Sequence, residues 1–320
     1  MPAPSMLTTD GAGFIGGDTV KTVFQTAALM AFRAGFVYRR VADVKWAGGR
    51  GAEPMPGNAV TFTLISALAP ATTALAEGTE PAAVNMADTQ KTVTLVEQGN
   101  AVKHTRKLRL TSFLSLDLAV PQEIAQNMEE SVDLIARDVL VAGTNVLYGG
   151  AATSRVTVAA GHTLAGNNIR RARAFLAGKN TPPPPGSMLY VAFGHPDVSY
   201  DLQAESGQQA WSYPHGNTDP NALYMGEIGA FGGVRWVENP NARIFVDAGV
   251  GGTVDVYATI CTGKQALGEG VGDPQHVVIS GPFDDLQRFI SVGWYALLGY
   301  GRIRENSLIR YETSSSIGAN

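Results

Sequence analysis

Cysteine is almost missing from this chain. Its 320 residues hold one, Cys261, so no disulfide can form within the chain. A reducing compartment, or indifference to redox state, is the simplest reading. Charge is also scarce: Asp, Glu, Lys and Arg make up 16% of residues, against roughly 25% in ordinary soluble domains. Less of the surface is therefore designed for water, which fits either a large buried core or a surface covered by partners. The net charge of −4 and pI near 5.8 give no global attraction to nucleic acid. No positive, then apolar, leader opens the sequence at Met1–Gly11, so the protein is expected to stay in the cytoplasm or in something assembled there. The most apolar helical stretch, Ala27–Tyr38, is interrupted by Arg33 and too short to span a bilayer, so no membrane partner is expected.

Catalytic patterns are missing as well. His104, His162, His195, His215 and His276 are scattered without ligand spacing, so no metal site is expected. Neither a G-x-S-x-G elbow nor a Walker loop occurs. Gly11–Gly16 matches G-x-G-x-x-G, but the residues before it, Met1 to Asp10, cannot make the buried strand that the motif requires. The acidic partner about 20 residues on is missing too, so no cofactor is expected. His195-Pro196-Asp197 reads as a strand-to-helix junction with Asp197 as the cap. Glu129 and Glu130 are adjacent on a helix, point apart and make no dyad.

The features that are present are long. Apolar residues alternate at Val60, Phe62 and Leu64, and again from Val93 and Leu95 through Leu108 and Leu110, which predicts a two-stranded arm over 59–111. Residues 69–90 contain no Lys or Arg but include Glu77, Glu80 and Asp88, whereas Lys103, Arg106, Lys107 and Arg109 stand at the base. An arm polarised in this way could fix how neighbours dock. Pro121 then opens a helix over 121–147, with Ile124, Met128, Val132, Ile135, Val139, Ala142 and Val146 as its apolar stripe. Its polar side carries Glu123, Glu129, Glu130, Asp133 and Arg137, and Gly149-Gly150 ends it. Neither element can bury itself in a compact fold. The cheapest cover is another copy of the chain, which points to a lattice builder.

Around these elements, residues 1–17 read as a flexible arm and Asp18 as the cap of a helix. Residues 47–58 read as loop and 164–177 as a second helix. The run Thr181–Gly186 reads as a domain junction. Strands are expected at Met188–Phe193, Val234–Val237, Arg243–Val246, Val254–Ile260, His276–Ile279, Phe289–Leu298 and Leu308–Tyr311.

Several blocks, in order, resemble the major capsid proteins of tailed phages, in particular the N4-like coat protein family. They are Ala76–Pro81, the long helix, Val191–Pro196 with Asp201-Leu202, Gly226–Gly229, Gly233–Glu238, Gly281-Pro282, Val292–Trp294 and Ile309–Glu312. The resemblance implies an α+β, HK97-like (Johnson) fold. Residues 1–46 would be the N-terminal arm and helix, 47–111 the extended β-hairpin loop, and 112–186 a peripheral domain with spine helix 121–147. Residues 187–275 would be the axial domain, and 276–320 a return to the peripheral domain with a tail. Gly11–Gly16 and Pro182–Pro185 are not part of that pattern.

It further implies pentamers and hexamers in an icosahedral shell around double-stranded DNA, held by weak, sequence-independent contact. Portal, scaffolding and decoration proteins would be partners, with the virion and the host cytoplasm as locations. Glu77, Glu80, Lys103, Arg106, Lys107, Arg109, Glu123, Glu129, Glu130 and Asp133 are the expected contact residues, basic against acidic, within or between subunits. An encapsulin-like compartment shell and a nucleotide-binding oxidoreductase are the alternatives.

Overall fold

The computed structural model describes residues 35–318, apart from 36, 48–56, 73, 75, 76, 79, 81, 82, 113–115, 185–187, 206–226, 282–284 and 287. The expected N-terminal arm, the helix after Asp18 and the Gly11–Gly16 stretch lie outside the described residues.

One sheet has four strands in the order β1 (Ala42–Trp46), β11 (Leu267–Ser280), β12 (Phe289–Arg302) and β4 (Val96–Thr105). Helix α2 (Leu116–Val141) packs on it. Ile124 and Val132 enter a cluster with Val271, Val292, Trp294, Ala296 and Leu298, and the Trp294 indole donates to Asn127 Oδ1 at 3.0 Å. At 1.5 Å per residue this helix is roughly 40 Å long.

Both expected ends of the helix move. It starts at Leu116, so Pro121 lies inside it, at the loss of one backbone bond. It stops at Val141, and Val146 belongs to a strand, β5 (Val146–Tyr148). The stripe continues in sequence, but Gly143 breaks the helix. A Cβ there would lie 2.7 Å from Leu308 Cδ2, so the chain turns where only glycine fits closely.

The second sheet runs β5, β13 (Leu308–Thr313), β10 (Val256–Thr262), β6 (Tyr190–Gly194), β8 (Val234–Glu238) and β7 (Glu227–Phe231), with β9 (Ile244–Phe245) on β10. Every residue of β6, β10 and β13 is buried, as expected of inner strands covered on both faces. Helix α3 (Gly166–Gly178) covers one face, placing Ile169, Ala172 and Leu176 among Tyr190, Trp236 and Ile309. The C-terminal end of α2 covers the other, with Ala136 and Leu140 against Phe193, Ile260 and Leu308.

This packing redraws the expected divisions. The border at 275/276 falls inside β11, a continuous strand from 267 to 280. Helix α3 and β5, expected with the spine, belong to the seven-stranded sheet. The start of the proline run, expected as a domain junction, is tied to the seven-stranded sheet: Tyr190 Oη donates to the Thr181 carbonyl (2.6 Å) and the Lys264 amide to the Pro182 carbonyl (2.9 Å). Helix α4 (Pro196–Ala204) does start at the expected junction, but His195 caps it: Nδ1 accepts from the Asp197 amide at 3.2 Å. The Asp197 carboxylate accepts from Tyr257 Oη instead, at 3.0 Å.

Two buried carboxylates pin the core. Glu312, on β13, has no exposed surface and takes two bonds from Arg155 at 2.9 and 2.7 Å. Arg310 Nε lies 2.8 Å from its Oε1, a charge contact without hydrogen-bond alignment. Arg155 also stacks 3.5 Å above the Phe245 ring. Glu269, on β11, meets Arg39 at 2.7 Å and accepts from Tyr300 Oη at 3.1 Å.

Candidate assembly interface

The arm is shorter than its sequence pattern suggests. Strands β2 (Ala59–Ile65) and β3 (Asp88–Thr94) pair antiparallel over seven residues each, from Ala59↔Thr94 to Ile65↔Asp88. The return strand then leaves the arm at Leu95, and β4 pairs with β12 over ten residues, from Val96↔Leu298 to Thr105↔Phe289. The alternating pattern on 96–105 is real, but its partner is a longer strand elsewhere. Arg106–Thr111 is not strand. It forms a short helix, α1, capped by Thr105 Oγ1 accepting from the Leu108 amide at 3.1 Å.

The base of the arm rests on bare backbone. Gly268 pairs with Gly301 and Gly270 with Gly299 across β11 and β12. With Gly272 they leave a surface without side chains, onto which Val60, Val93 and Leu95 press. A Cβ on Gly299 would stand 2.2 Å from the Thr94 carbonyl oxygen, and one on Gly301 2.7 Å from Val93 Cγ2. The signal for this seat is in the sequence: Gly-x-Gly-x-Gly at 268–272 and Gly-Tyr-Gly at 299–301, glycine at strand period two. Beyond the seat the arm is apolar and open to solvent. Ile65, Leu68, Val84 and Met86 are 61%, 52%, 73% and 63% exposed. Leu64, Ile65, Leu68 and Met86 line one side of a groove of about 790 Å³, with Lys179 and Ile303 among the residues opposite.

The expected contact residues separate into three places. Glu77 and Glu80 are exposed near the arm tip. Lys103 is exposed on β4, and Arg106, Lys107 and Arg109 are exposed on α1 beside Leu108 and Leu110, themselves 50% and 75% exposed. These cations are thus not at the arm base: ten strand residues at about 3.4 Å put them ~30 Å from it. Glu123, Glu129 and Glu130 are half-buried on α2. Asp133 does not face outward. It is 2% exposed, and its Oδ1 accepts the backbone amides of Val37, Tyr38 and Arg39 at 2.9, 2.8 and 3.1 Å. Burial pushes its carboxyl above the ordinary carboxylate range, against the pull of those amides. The sequence pattern missed this role, because an Asp at the border of an amphipathic stripe reads as solvated.

Among the described residues no group of three His, Cys, Asp or Glu side chains could hold a metal, and no helix is long and apolar enough to cross a membrane. Cys261 is buried, its thiol pushed up to about 12 by desolvation, so it is not poised as a nucleophile.

A sheet-rich chain with an apolar, exposed arm matches known structures over nearly its whole length. The capsid of Ralstonia phage GP4 is similar at 17% identity and TM-score 0.73, covering 96% of this chain and 98% of that one. A chain of the cyanophage Pam1 capsid is similar at 14% and 0.71, covering 96% and 99%. The acid-stable capsid of Helicobacter pylori bacteriophage KHP30 is similar at 12% and 0.69, covering 98% and 100%. No curated protein matches the sequence. The expected HK97-like α+β fold is thus borne out. The phage capsid protein family matches residues 135–311, more than half of the chain, which therefore belongs to the phage capsid protein family.

Proposed function

We propose that this capsid subunit closes an icosahedral shell of pentamers and hexamers around double-stranded DNA by laying its arm on an adjoining copy. The observation that carries this reading is the arm from Ile65 to Asp88. It presents four large exposed apolar side chains, a patch that a lone soluble subunit would keep from water. In this reading α2 with the four-stranded sheet forms the peripheral domain, and the seven-stranded sheet with α3 and α4 forms the axial domain. Apolar burial holds neighbouring subunits together, and rim charges set register. Assembly takes place in the host cytoplasm with portal and scaffolding proteins, and decoration proteins fit the same reading. The role is structural, with no turnover of substrate.

Replacing residues 69–85 by a two-residue Asn-Gly turn tests it. The shortened subunit should fold, since the seat of the arm is untouched, but sediment as small oligomers where the parent gives particles. Closed particles from the shortened chain, seen by electron microscopy, would overturn the reading. The charge pairing is tested separately. The double variant Lys103→Glu, Lys107→Glu should derail assembly if the cations of β4 and α1 meet acidic groups such as Glu77, Glu80, Glu123, Glu129 or Glu130. Normal particles would reject that pairing.

A further inference from the structure

The chain is net negative, yet residues 139–196 contain no Asp or Glu and five cations: Arg155, Arg170, Arg171, Arg173 and Lys179. Four of these lie on α3 or directly after it. The helix buries Gly166, Ile169, Ala172 and Leu176 on its sheet side. The helical repeat therefore turns residues 167, 171, 174 and 178 outward, with 170 and 177 beside them. Along that outward line stand Asn167, Ala174 and Gly178, all small and exposed, with Arg171, exposed as well, whose guanidinium also reaches the buried Tyr311 hydroxyl.

Arg170 and Arg173 reach to the β7–β8 turn. Arg170 stands 5.0 Å from the Phe231 ring centroid, and Arg173 packs so close to Gly233 that a Cβ there would lie 2.5 Å from its Nε. Their aliphatic stems are thus supported while Arg173 stays exposed. Among the described residues no carboxylate forms an ion pair with Arg171, Arg173 or Lys179. The acid nearest in role is Glu205, which accepts from the Gly166 amide at 2.7 Å, at the N-terminal end of the helix.

We infer that the exposed side of α3, running from Arg173 at the β7–β8 turn across Arg170 to Arg171, is a docking surface for the phosphate backbone of duplex DNA. The inference rests on the shell reading above and deepens it, by naming the surface that meets the enclosed polyanion. Three features favour a polyphosphate over a protein. A protein partner needs buried apolar anchors at the centre of its footprint. This face offers none: its uncharged exposed residues are Asn167, Ala174, Ala177 and Gly178. The cations are mainly arginines, whose planar forks match phosphate oxygens. Small residues between them let a broad, smooth surface come close. The acidic arm tip of a neighbour is the competing polyanion, but its exposed Val84 and Met86 require an apolar seat that α3 lacks.

Three to four phosphates per subunit make a weak contact, steep in salt. The slope of log K against log salt is about −0.9 per phosphate, so binding should fall roughly 40- to 150-fold between 50 and 200 mM. Many copies would hold packaged DNA without gripping it at any one point.

The test uses full-length unassembled subunits and a linear duplex DNA fragment, titrated at several salt concentrations. Arg171→Gln with Arg173→Gln should flatten the slope by about 2 and weaken binding regardless of sequence. Ala174→Arg, on the same face, should steepen it by about 1 and tighten binding, which keeps the idea testable if the double variant misfolds. Unchanged slopes in both variants would overturn the inference. So would a double variant whose slope is unchanged but which no longer forms particles, because that makes the face a contact between copies. Particle formation by the parent is scored separately by electron microscopy. Its failure sinks the shell reading, whereas an unchanged salt slope sinks only the role of α3.

Discussion

Gly299→Val should leave the four-stranded sheet folded and cut particle yield at least tenfold. Gly299 does not have positive φ, and valine is a better strand residue than glycine, so the backbone of β12 accepts it. The obstacle lies above the sheet. The new Cβ would stand 2.2 Å from the Thr94 carbonyl oxygen, and neither atom belongs to a side chain that can swing away. The arm must lift. Doing so exposes Val60, Val93 and Leu95, now 4%, 4% and 6% accessible, and burial of each such side chain is worth about 1.5–3 kcal/mol. We expect the arm strands of the variant to be cut by protease at least tenfold faster, and particle yield to fall by a similar factor. Gly281→Val is the control, since nothing lies within 4 Å of its Cβ position. Equal protease resistance in Gly299→Val and parent would refute the seat. That readout needs no assembly, so it stands even if the shell reading fails.

Glu312→Ala should be the most damaging single substitution for the subunit itself. Glu312 has no exposed surface and holds Arg155 through two bonds, with Arg310 alongside. Removing it strands the Arg310 guanidinium, 10% exposed, between β5 and β10, while Arg155, 34% exposed, can partly escape to water. Breaking a buried pair by removing one partner costs about 3–5 kcal/mol. That is a large share of the roughly 5–15 kcal/mol holding a typical domain together. Glu312→Gln, which keeps shape and one acceptor oxygen, should lose distinctly less. Urea titration of unassembled subunits gives both numbers. A midpoint for Glu312→Ala within error of the parent would mean that the charges are already satisfied elsewhere.

These two sites also mark where the sequence was readable and where it was not. Strands buried on both faces, such as Tyr190–Gly194 and Val256–Thr262, stand out because continuous apolar runs between turns leave no other choice. The long helix was legible in its middle, where Ile124 and Val132 face the sheet. Its end was not, because Val146 keeps helical spacing while serving a strand. Arg106–Thr111 alternates like a strand, and only Thr105 as a cap betrays the turn of helix. The charges expected at an interface were legible as residues but not as places. Nothing in the pattern at 91–111 says that the chain changes partner at Leu95, because strand pairing is decided by sequence-distant neighbours. The same non-locality hid Glu312, whose partner Arg155 lies 157 positions earlier.

Strand β13 occupies the slot between the edge strand β5 and β10, so β5 is not joined to the rest of the sheet until β13 has been made. Until then β10 lies open along the side that β13 covers, and only β6, β8, β7 and β9 extend the sheet from it. Closing this side joins residues far apart in the chain, Val146 to Arg310 and Tyr148 to Glu312, and such non-local pairing forms slowly and leaves a strand edge open meanwhile.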